Sequence, residues 1–232
     1  ADRRRAALTA MGVHIGRARN AVAGGCVSCG LCLHGCPYRL IFNASSIVES
    51  LRTHAGFAYV AGRRAISFAE TNDRVALTIE REGARETIEG ERLYLAAGVL
   101  PTARIVLASR GPAELTLKDS SHFFQPFLHL SGPAADPALE SRHALAQAFV
   151  EIVPPGGSGR SAHVQIYTYN DLFRLDLEKK YGRLPLSRPI LDAVARRLIV
   201  AQGFLHSDFS PTIRIGMHGD SMRYSLDENP KG

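Results

Sequence analysis

The chain has 232 residues, of which 45% are hydrophobic and 22% charged, a composition typical of a folded globular protein that excludes a purely disordered one. This length is enough for one large domain or two small ones, and no apolar run is long enough to cross a membrane as a helix. The net charge is +6, but the sequence predicts no nucleic-acid partner, because it has no interleaved aromatic residues and no helix-turn-helix or zinc-finger spacing.

The first half of the chain contains short helices, one cysteine-rich loop and short strands. Capping residues and glycine stop signals predict helices at 3–12, 44–55 and 101–109. Apolar patterns predict strands at 57–61, 64–69, 74–81, 84–88 and 91–97, with a hairpin turn at Glu82-Gly83. Because the last of these strands ends at Gly98 and a helix follows, this half has the layout of a nucleotide-binding α/β layer.

The pattern changes after Gly111-Pro112, where antiparallel strands and two amphipathic helices are predicted. Strands 145–153 and 162–169 should pair across the loop 154–159, and helices 170–181 and 188–202 precede strands 203–207 and 211–217. One face of the first strand pair is polar and aromatic, with Gln147, Phe149, Glu151, His163, Gln165, Tyr167 and Tyr169. Two interpretations of this face stay open: the floor of a substrate pocket, or the wet side of a half-exposed sheet.

All four cysteines lie within eleven residues, as Cys26, Cys29, Cys32 and Cys36, followed by Pro37. This C-x2-C-x2-C-x3-C-P spacing, in a glycine-rich loop over 24–37, is that of the bacterial ferredoxin iron–sulfur loop. In two-cluster ferredoxins the fourth cysteine binds the other cluster. Here no second cysteine group exists, so Cys36 must join the same cluster or leave one iron to another ligand.

Two alternatives for the cysteines stay open. Four thiolates can hold zinc, and the loop could also be purely structural, with reduced thiols or one disulfide. His34 lies inside the loop and could bind the metal or donate to a sulfur, although we expect a side chain that faces solvent.

Most of the net positive charge lies in the segment that contains the cysteines. Residues 1–42 contain six arginines and one acidic residue, Asp2, for a local charge of +5. Such a stretch could face an anionic cofactor or an acidic redox partner, or it could be a solvated surface.

Three segments together resemble a known family: 26–45 (CVSCGLCLHGCPYRLIFNAS), 57–68 (FAYVAGRRAISF) and 93–109 (LYLAAGVLPTARIVLAS). They look like the glucose-methanol-choline (GMC) family of FAD-dependent oxidoreductases, in particular its bacterial members with a cysteine-rich loop. A second motif of the family is matched in part, at Gly98, Thr102, Ile105, Val106 and Ser109 but not at Ala103 and Arg110. The resemblance covers roughly residues 16–110.

The resemblance implies an FAD site and places five residues in it. Ala65 would give a backbone contact to the adenine, and Ala97, Gly98 and Thr102 would lie near the phosphates and ribose. Asn43 would lie near the flavin, although capping of the following helix would account for it equally well.

The expected fold is therefore α/β combined with α+β. A partial Rossmann-like FAD-binding domain would occupy 1–111, and an antiparallel-sheet domain that covers the substrate would occupy 112–232. The sequence contains no G-x-G-x-x-G fingerprint, and the family's C-terminal catalytic histidine is not recognisable. We therefore expect an internal part of a longer protein and assign no catalytic residue, because the context of His218 does not match the family's motif.

The function implied by the resemblance is hydride transfer from the CH–OH group of an alcohol, sugar or polyol to FAD. An iron–sulfur cluster would then relay the electrons to a redox partner. The alternatives are an iron–sulfur electron-transfer module and a zinc-stabilised interaction domain. The cysteine usage, without a signal peptide, favours the cytoplasm. We also expect poor solubility of the isolated chain, because an incomplete nucleotide-binding sheet leaves an open apolar edge.

Overall fold

A computed structural model of the chain describes residues 2–111, 113–131, 143–156, 159–182, 187–219 and 221–228. The helices are α1 (Asp2–Ala10), α2 (Ala44–Leu51), α3 (Val99–Arg110), α4 (Asp171–Tyr181) and α5 (Ser187–Ala195). The first strands are β1 (Val13–Arg17), β2 (Arg64–Glu70), β3 (Val75–Arg81), β4 (Ala84–Gly90), β5 (Glu114–Lys118) and β6 (His122–Leu128). The remaining strands are β7 (Ala148–Ile152), β8 (Ala162–Tyr167), β9 (Leu198–Phe204), β10 (Thr212–His218) and β11 (Ser221–Asp227).

The fold is α+β, with helices and antiparallel sheets in two compact units. Unit 1 comprises Ala1–Ser45 and Ser120–His206, and unit 2 comprises Ser46–Asp119 and Ser207–Gly232. Each unit is therefore built from two separate segments of the chain, unlike the contiguous division into 1–111 and 112–232 predicted from the sequence. Among the described residues, no helix combines the length and the hydropathy needed to span a membrane.

Unit 1 is built on a five-stranded antiparallel sheet in the order β1-β7-β8-β9-β6. Successive side chains of each strand point to opposite faces of the sheet, and apolar side chains such as Val164 and Ala201 are buried on one face. The β7–β8 pair confirms the antiparallel pair predicted at 145–153 and 162–169, with Glu151 opposite His163. Helix α4 begins where predicted, because the Asn170 side chain accepts a hydrogen bond from the Leu172 N–H at 2.8 Å.

Unit 2 contains two three-stranded sheets, β2-β3-β4 and β11-β10-β5. The predicted hairpin forms between β3 and β4, because Glu82 and Gly83 both adopt the positive φ that a tight hairpin turn requires. Helix α3 packs against both sheets: Ala103 and Leu107 join Ile215 in a buried cluster. The Ser109 hydroxyl of α3 accepts a hydrogen bond from the Phe68 N–H of β2 at 2.8 Å.

Several predicted elements are wrong. Residues 57–61 and 91–97 are not strands, and Tyr59 in the first of these segments is exposed. The apolar run 91–97 is typical of a strand buried between two neighbours, and no described strand pairs with it. The helix predicted at 188–202 ends at Ala195, and its second half is β9, because pairing with β8 and β6 overrides the helical pattern.

Candidate functional site

The cysteine-rich loop belongs to unit 1 and is closed at its base by backbone pairing. An isolated bridge joins Val22 to Ile41. On either side of it, the Ala23 N–H donates to the Leu40 carbonyl at 2.7 Å, and the Phe42 N–H donates to the Ala21 carbonyl at 2.9 Å. The chain therefore enters and leaves the loop at one point, which holds the cysteines in a compact lobe.

Glycines allow the backbone to turn inside this lobe, as the sequence predicts. Gly30 and Gly35 have φ values of 74° and 98°, a region that side chains with a Cβ disfavour. Between them lies a short 3₁₀ helix, Cys32–His34, closed by the Gly35 N–H that donates to the Cys32 carbonyl. His34 is exposed at the end of this turn, in agreement with a side chain that faces solvent.

All four cysteines line one pocket, together with an otherwise mainly apolar set of side chains: Val22, Val27, Tyr38, Leu40, Ile41 and His143. All four are free thiols. The pocket measures about 20 Å³, slightly more than the roughly 10–15 Å³ that one water molecule needs. The loop therefore brings the four sulfur-bearing residues to one place and surrounds them with little polar surface.

His143 also lines the pocket, and the sequence does not predict it. It lies far along the chain from the cysteines, and no motif connects it to them. Its segment is held in place by the Asn20 amide, which donates to the Ala146 carbonyl at 3.1 Å, and by the Gln147 amide, which donates to the His143 carbonyl at 2.8 Å. Only the tertiary pairing of these segments could have identified it.

Backbone N–H groups point at two of the sulfur atoms. The Ser28 N–H donates to the Cys26 Sγ and the Leu40 N–H donates to the Cys36 Sγ, both at 3.4 Å. The Leu40 N–H, with smaller contributions from Tyr38, Ile41 and Arg39, lowers the pKa of Cys36 against the opposing effect of burial. Since the thiolate is the form that binds metals, this backbone favours the ligand state of Cys36.

The donor set fits a soft metal centre, because thiolates select zinc and iron–sulfur clusters. No three His, Cys, Asp or Glu residues in the described part of the chain are placed to hold a metal ion. A tetrahedral zinc site with Zn–S bonds of about 2.3 Å would bring its thiolates to within about 3.8 Å of each other. A four-iron cluster separates its thiolates more widely, since each binds a different iron. Either centre requires the loop to rearrange around it.

Four of the five residues that the resemblance places at FAD lie in unit 2. Ala97 and Gly98 lead directly into α3, where Gly98 has a φ of 91° and its carbonyl accepts a hydrogen bond from the Thr102 N–H at 2.9 Å. Ala65 lies on β2, which packs against the same helix, and a β-bulge interrupts the β2–β3 register between Ala65 and Ser67.

Asn43, the fifth of these residues, belongs to unit 1. Its side-chain oxygen accepts a hydrogen bond from the Ser45 N–H at 2.9 Å, at the start of α2. This is the geometry of a helix cap, the alternative that the sequence left open for Asn43.

The polar face of the unit 1 sheet contains a carboxylate–imidazole pair. Glu151 on β7 and His163 on β8 are cross-strand neighbours, and His163 Nδ1 is hydrogen-bonded to Glu151 Oε1. The Ser161 hydroxyl donates to the other oxygen of Glu151 at 3.0 Å. If the Nδ1 proton is donated to the carboxylate, the imidazole is oriented with Nε2 as its open acceptor.

Aromatic rings surround this pair. The Phe149 ring meets His163 edge-on at 4.9 Å between centroids, and the Phe204 ring stacks at 6.5 Å. Further along β8, the Tyr167 hydroxyl donates to Gln165 at 2.7 Å, and burial raises the pKa of Tyr167. Tyr169 lies beyond the strand, where burial and Asp171 raise its pKa. The alternation predicted from the sequence places Phe149, Glu151, His163, Gln165 and Tyr167 on one face, but the Glu151–His163 hydrogen bond was not foreseen.

Comparison with known proteins assigns no family to the chain. No protein-family model matches it, and a search of curated proteins finds no significant match. Its function is therefore inferred from its residues and their geometry.

Proposed function

We propose that this chain is part of a flavin-dependent oxidoreductase acting on CH–OH donors, whose cysteine-rich loop holds an iron–sulfur cluster. The observation that carries the redox assignment is the pocket lined by Cys26, Cys29, Cys32 and Cys36. The flavin and the CH–OH donor follow from the resemblance of 16–110 to the GMC family. A cytoplasmic location belongs to the same proposal, since a reducing compartment keeps such thiols from forming disulfides.

The loop residues have distinct roles in this proposal. The four thiolates bind the cluster, which when bound accepts and donates single electrons. The N–H groups of Ser28 and Leu40 donate to two of the sulfur atoms and partly compensate the negative charge there. Val22, Leu40 and Ile41 give the pocket an apolar lining, which together with the hydrogen bonds would adjust the reduction potential of the cluster.

The start of α3 supports the flavin assignment. Gly98 at the N-cap of α3 has no side chain that could cap the helix, so the N–H groups of Val99 and Leu100 could donate to a phosphate, whereas Pro101 has no N–H. At Ala65 the bulge in β2 disturbs the ladder and frees backbone groups for a contact such as that to adenine. The flavin supplies the hydride acceptor, and these residues would bind and orient it.

An alcohol or sugar substrate fits the chemistry of the polar sheet face. Glu151, His163 and Gln165 offer hydrogen-bond donors and acceptors to hydroxyl groups, and Phe149 offers an apolar ring beside them. Such a combination of a few directed polar groups with aromatic surface is typical of small-molecule sites.

The test is an anaerobic UV–visible spectrum of the protein expressed from the complete gene and reconstituted with iron and sulfide. We expect two flavin bands and a broad iron–sulfur shoulder that dithionite bleaches. Cys32→Ser should remove the shoulder and leave the flavin bands, whereas the matched loop variant His34→Ala should keep both. A spectrum without flavin would overturn the oxidoreductase proposal. A colourless protein that contains stoichiometric zinc would establish the zinc alternative instead.

A further inference from the structure

The edge strand β6 (His122–Leu128) lacks the charged side chains that the other open edges contain. All of its residues are exposed, and none of them is aspartate, glutamate, lysine or arginine. Within the described sheets, each of the other edge strands contains at least one such residue: Arg17 on β1, Arg64 on β2, Glu86 on β4, Glu114 on β5 and Arg223 on β11. Because charges discourage an open edge from pairing with another chain, β6 is the edge best suited to such pairing.

The register of β6 with β9 shows which backbone groups face the open edge. Just before β6 begins, the Ser121 carbonyl accepts a hydrogen bond from the Leu205 N–H at 2.9 Å. Just after it ends, the His129 N–H donates to the Arg197 carbonyl at 2.9 Å. Bonded and non-bonded pairs alternate along an antiparallel ladder, so the odd-numbered residues of β6 bond to β9. The N–H and carbonyl groups of the even-numbered residues therefore point to the open edge.

Pro126 agrees with this assignment, since a proline at an even-numbered position removes no bond between β6 and β9. Its carbonyl accepts a hydrogen bond from the side-chain amide of Gln125 at 3.2 Å, and the second lone pair of that oxygen can accept another donor. His122, Phe124 and Leu128 have N–H groups that point outward. The open edge of β6 therefore offers both donors and acceptors to an added strand.

We propose that β6 pairs antiparallel with β6 of a second copy of this chain, around a two-fold axis at Phe124. Charge complementarity selects this partner, because an edge without charges fits another uncharged edge, and β6 is the edge of that kind in the described sheets. On the axis, the N–H and carbonyl of Phe124 bond to those of Phe124 in the second copy. On either side, the His122 N–H donates to the Pro126 carbonyl of the second copy.

The side chains favour an axis at Phe124. Phe124 is 58% exposed, more than Phe123 at 44% or Phe127 at 52%. The two Phe124 rings would lie side by side on one face of the joined sheet, and aromatic cross-strand pairs stabilise a sheet. A two-fold contact closes on itself, so association stops at the dimer. The pairing requires no cofactor and is therefore independent of the proposed function.

Sedimentation velocity of the 232-residue chain over a dilution series tests the backbone pairing. We expect a dimer at micromolar concentration. Phe124→Pro removes the N–H on the axis from both copies and no bond to β9, so the dissociation constant should rise at least about tenfold. The matched variant Phe124→Leu keeps that N–H and should raise the dissociation constant much less. Melting curves of both variants verify that each chain is folded.

A cross-link tests the position of the axis independently. Residues directly opposite each other in a bonded pair have Cα atoms about 5.5 Å apart, within the roughly 4.4–6.8 Å range of disulfides. Under mild oxidation, Phe124→Cys should therefore link to the same residue of the second copy. Peptide mass spectrometry distinguishes this bond from any bond between the native cysteines. The control Gln125→Cys should not link to itself, because its two copies lie two residues out of register.

A chain that is monomeric at every concentration, or that forms assemblies without limit, overturns the proposal. So does an equal effect of Phe124→Pro and Phe124→Leu, because the backbone of β6 would then take no part in the contact. A cross-link through Gln125→Cys instead of Phe124→Cys overturns the axis at Phe124. Should Phe124→Pro fail to fold, the two cysteine variants decide by this last criterion.

Discussion

The Cys36 sulfur accepts a backbone hydrogen bond from the Leu40 N–H. From this contact we predict how Cys36 titrates in the metal-free, reduced chain. The bond lowers the pKa of Cys36, so its thiolate should form at lower pH in the folded protein than in the unfolded chain. We expect the pH profile of Cys36 alkylation by iodoacetamide, followed by mass spectrometry, to shift to higher pH in urea.

The lowered pKa of Cys36 also determines how the stability of the fold depends on pH. The hydrogen bond stabilises the fold where the thiolate exists, at high pH, and this contribution is lost as the pH falls through the lowered pKa. Identical alkylation profiles in the folded and the urea-unfolded chain would show that the Leu40 N–H has no effect on the Cys36 sulfur.

A second prediction concerns the tautomer of His163. In wild type, the Glu151 carboxylate is the partner of His163 Nδ1 and of the Ser161 hydroxyl. Glu151→Gln replaces the charged acceptor with an amide, so we expect the Nδ1–H form to lose population and stability to fall by about 1 kcal/mol. Long-range ¹H–¹⁵N NMR of the imidazole measures the tautomer. Glu114→Gln, a partner of Arg214 in unit 2, is the control that should leave His163 unchanged.

The sequence predicts local relations between residues better than distant ones. The cysteine spacing and the glycines between them predicted that the four cysteines would lie around one pocket, because a tight turn over eleven residues leaves few alternatives. His143 reaches the same pocket only through the pairing of distant segments, and no short-range pattern encodes that. Asn43 shows the opposite case, because its local capping role is sufficient to explain it.

At the scale of elements, the pairing between strands decided the outcomes that sequence patterns left ambiguous. The stripe over 188–202 fits a helix, yet Leu198–Phe204 contains the β-branched pair Ile199-Val200 and forms β9. Gly203 in the same strand lies opposite Phe123 on β6, whose ring occupies the space that a Cβ at Gly203 would need. Such cross-strand packing stabilises a strand, and the hydrophobic pattern of a single segment does not reveal it.

The junction of α1 and β1 depends on one glycine. Gly12 has a φ of 78°, its carbonyl accepts a hydrogen bond from the Val153 N–H at 2.8 Å, and an added Cβ would overlap the Val153 carbonyl oxygen. We expect Gly12→Ala to cost about 2 kcal/mol, through both backbone strain and this overlap. For a chain of this size the cost corresponds to a fall in Tm of roughly 4–8 °C.

The matched control is Gly16→Ala in the adjacent strand β1, where an added Cβ meets no atom within 4 Å. Its stability should stay within about 0.5 kcal/mol of wild type. Equal melting temperatures for Gly12→Ala and Gly16→Ala would show that the α1–β1 junction tolerates a side chain.

At the scale of the whole molecule, apolar surface is left exposed in both units. In unit 2, the segment 91–97 has the apolar pattern of a buried strand, yet Tyr94 is 82% exposed and no described strand pairs with this segment. The nucleotide-binding sheet predicted for this region therefore stays a prediction, whereas the α+β character of the fold is confirmed. A buried strand needs neighbours on both sides, and a sequence pattern alone does not supply them.

In unit 1, the edge strand β6 exposes Phe123, Phe124 and Phe127. An edge strand with apolar side chains favours association with other molecules, although Pro126 removes one N–H donor from it. We expect the isolated chain to self-associate at micromolar concentration, which sedimentation velocity over a dilution series would detect. Phe124→Lys should shift the distribution towards monomer, because it replaces exposed apolar surface with charge on the strand where contact is expected.

Gln125→Lys separates the loss of apolar surface from the gain of charge, since it adds the same charge to the neighbouring exposed position of β6. If the aromatic surface drives association, Phe124→Lys should reduce it much more than Gln125→Lys does. Equal reductions would assign the association to net charge instead. A chain that stays monomeric at every concentration and melts in one sharp transition would show that its exposed apolar residues need no partner. The unpaired apolar segment at 91–97 would then be compatible with a stable, self-sufficient fold, and the predicted incomplete nucleotide-binding sheet would lose its main physical support.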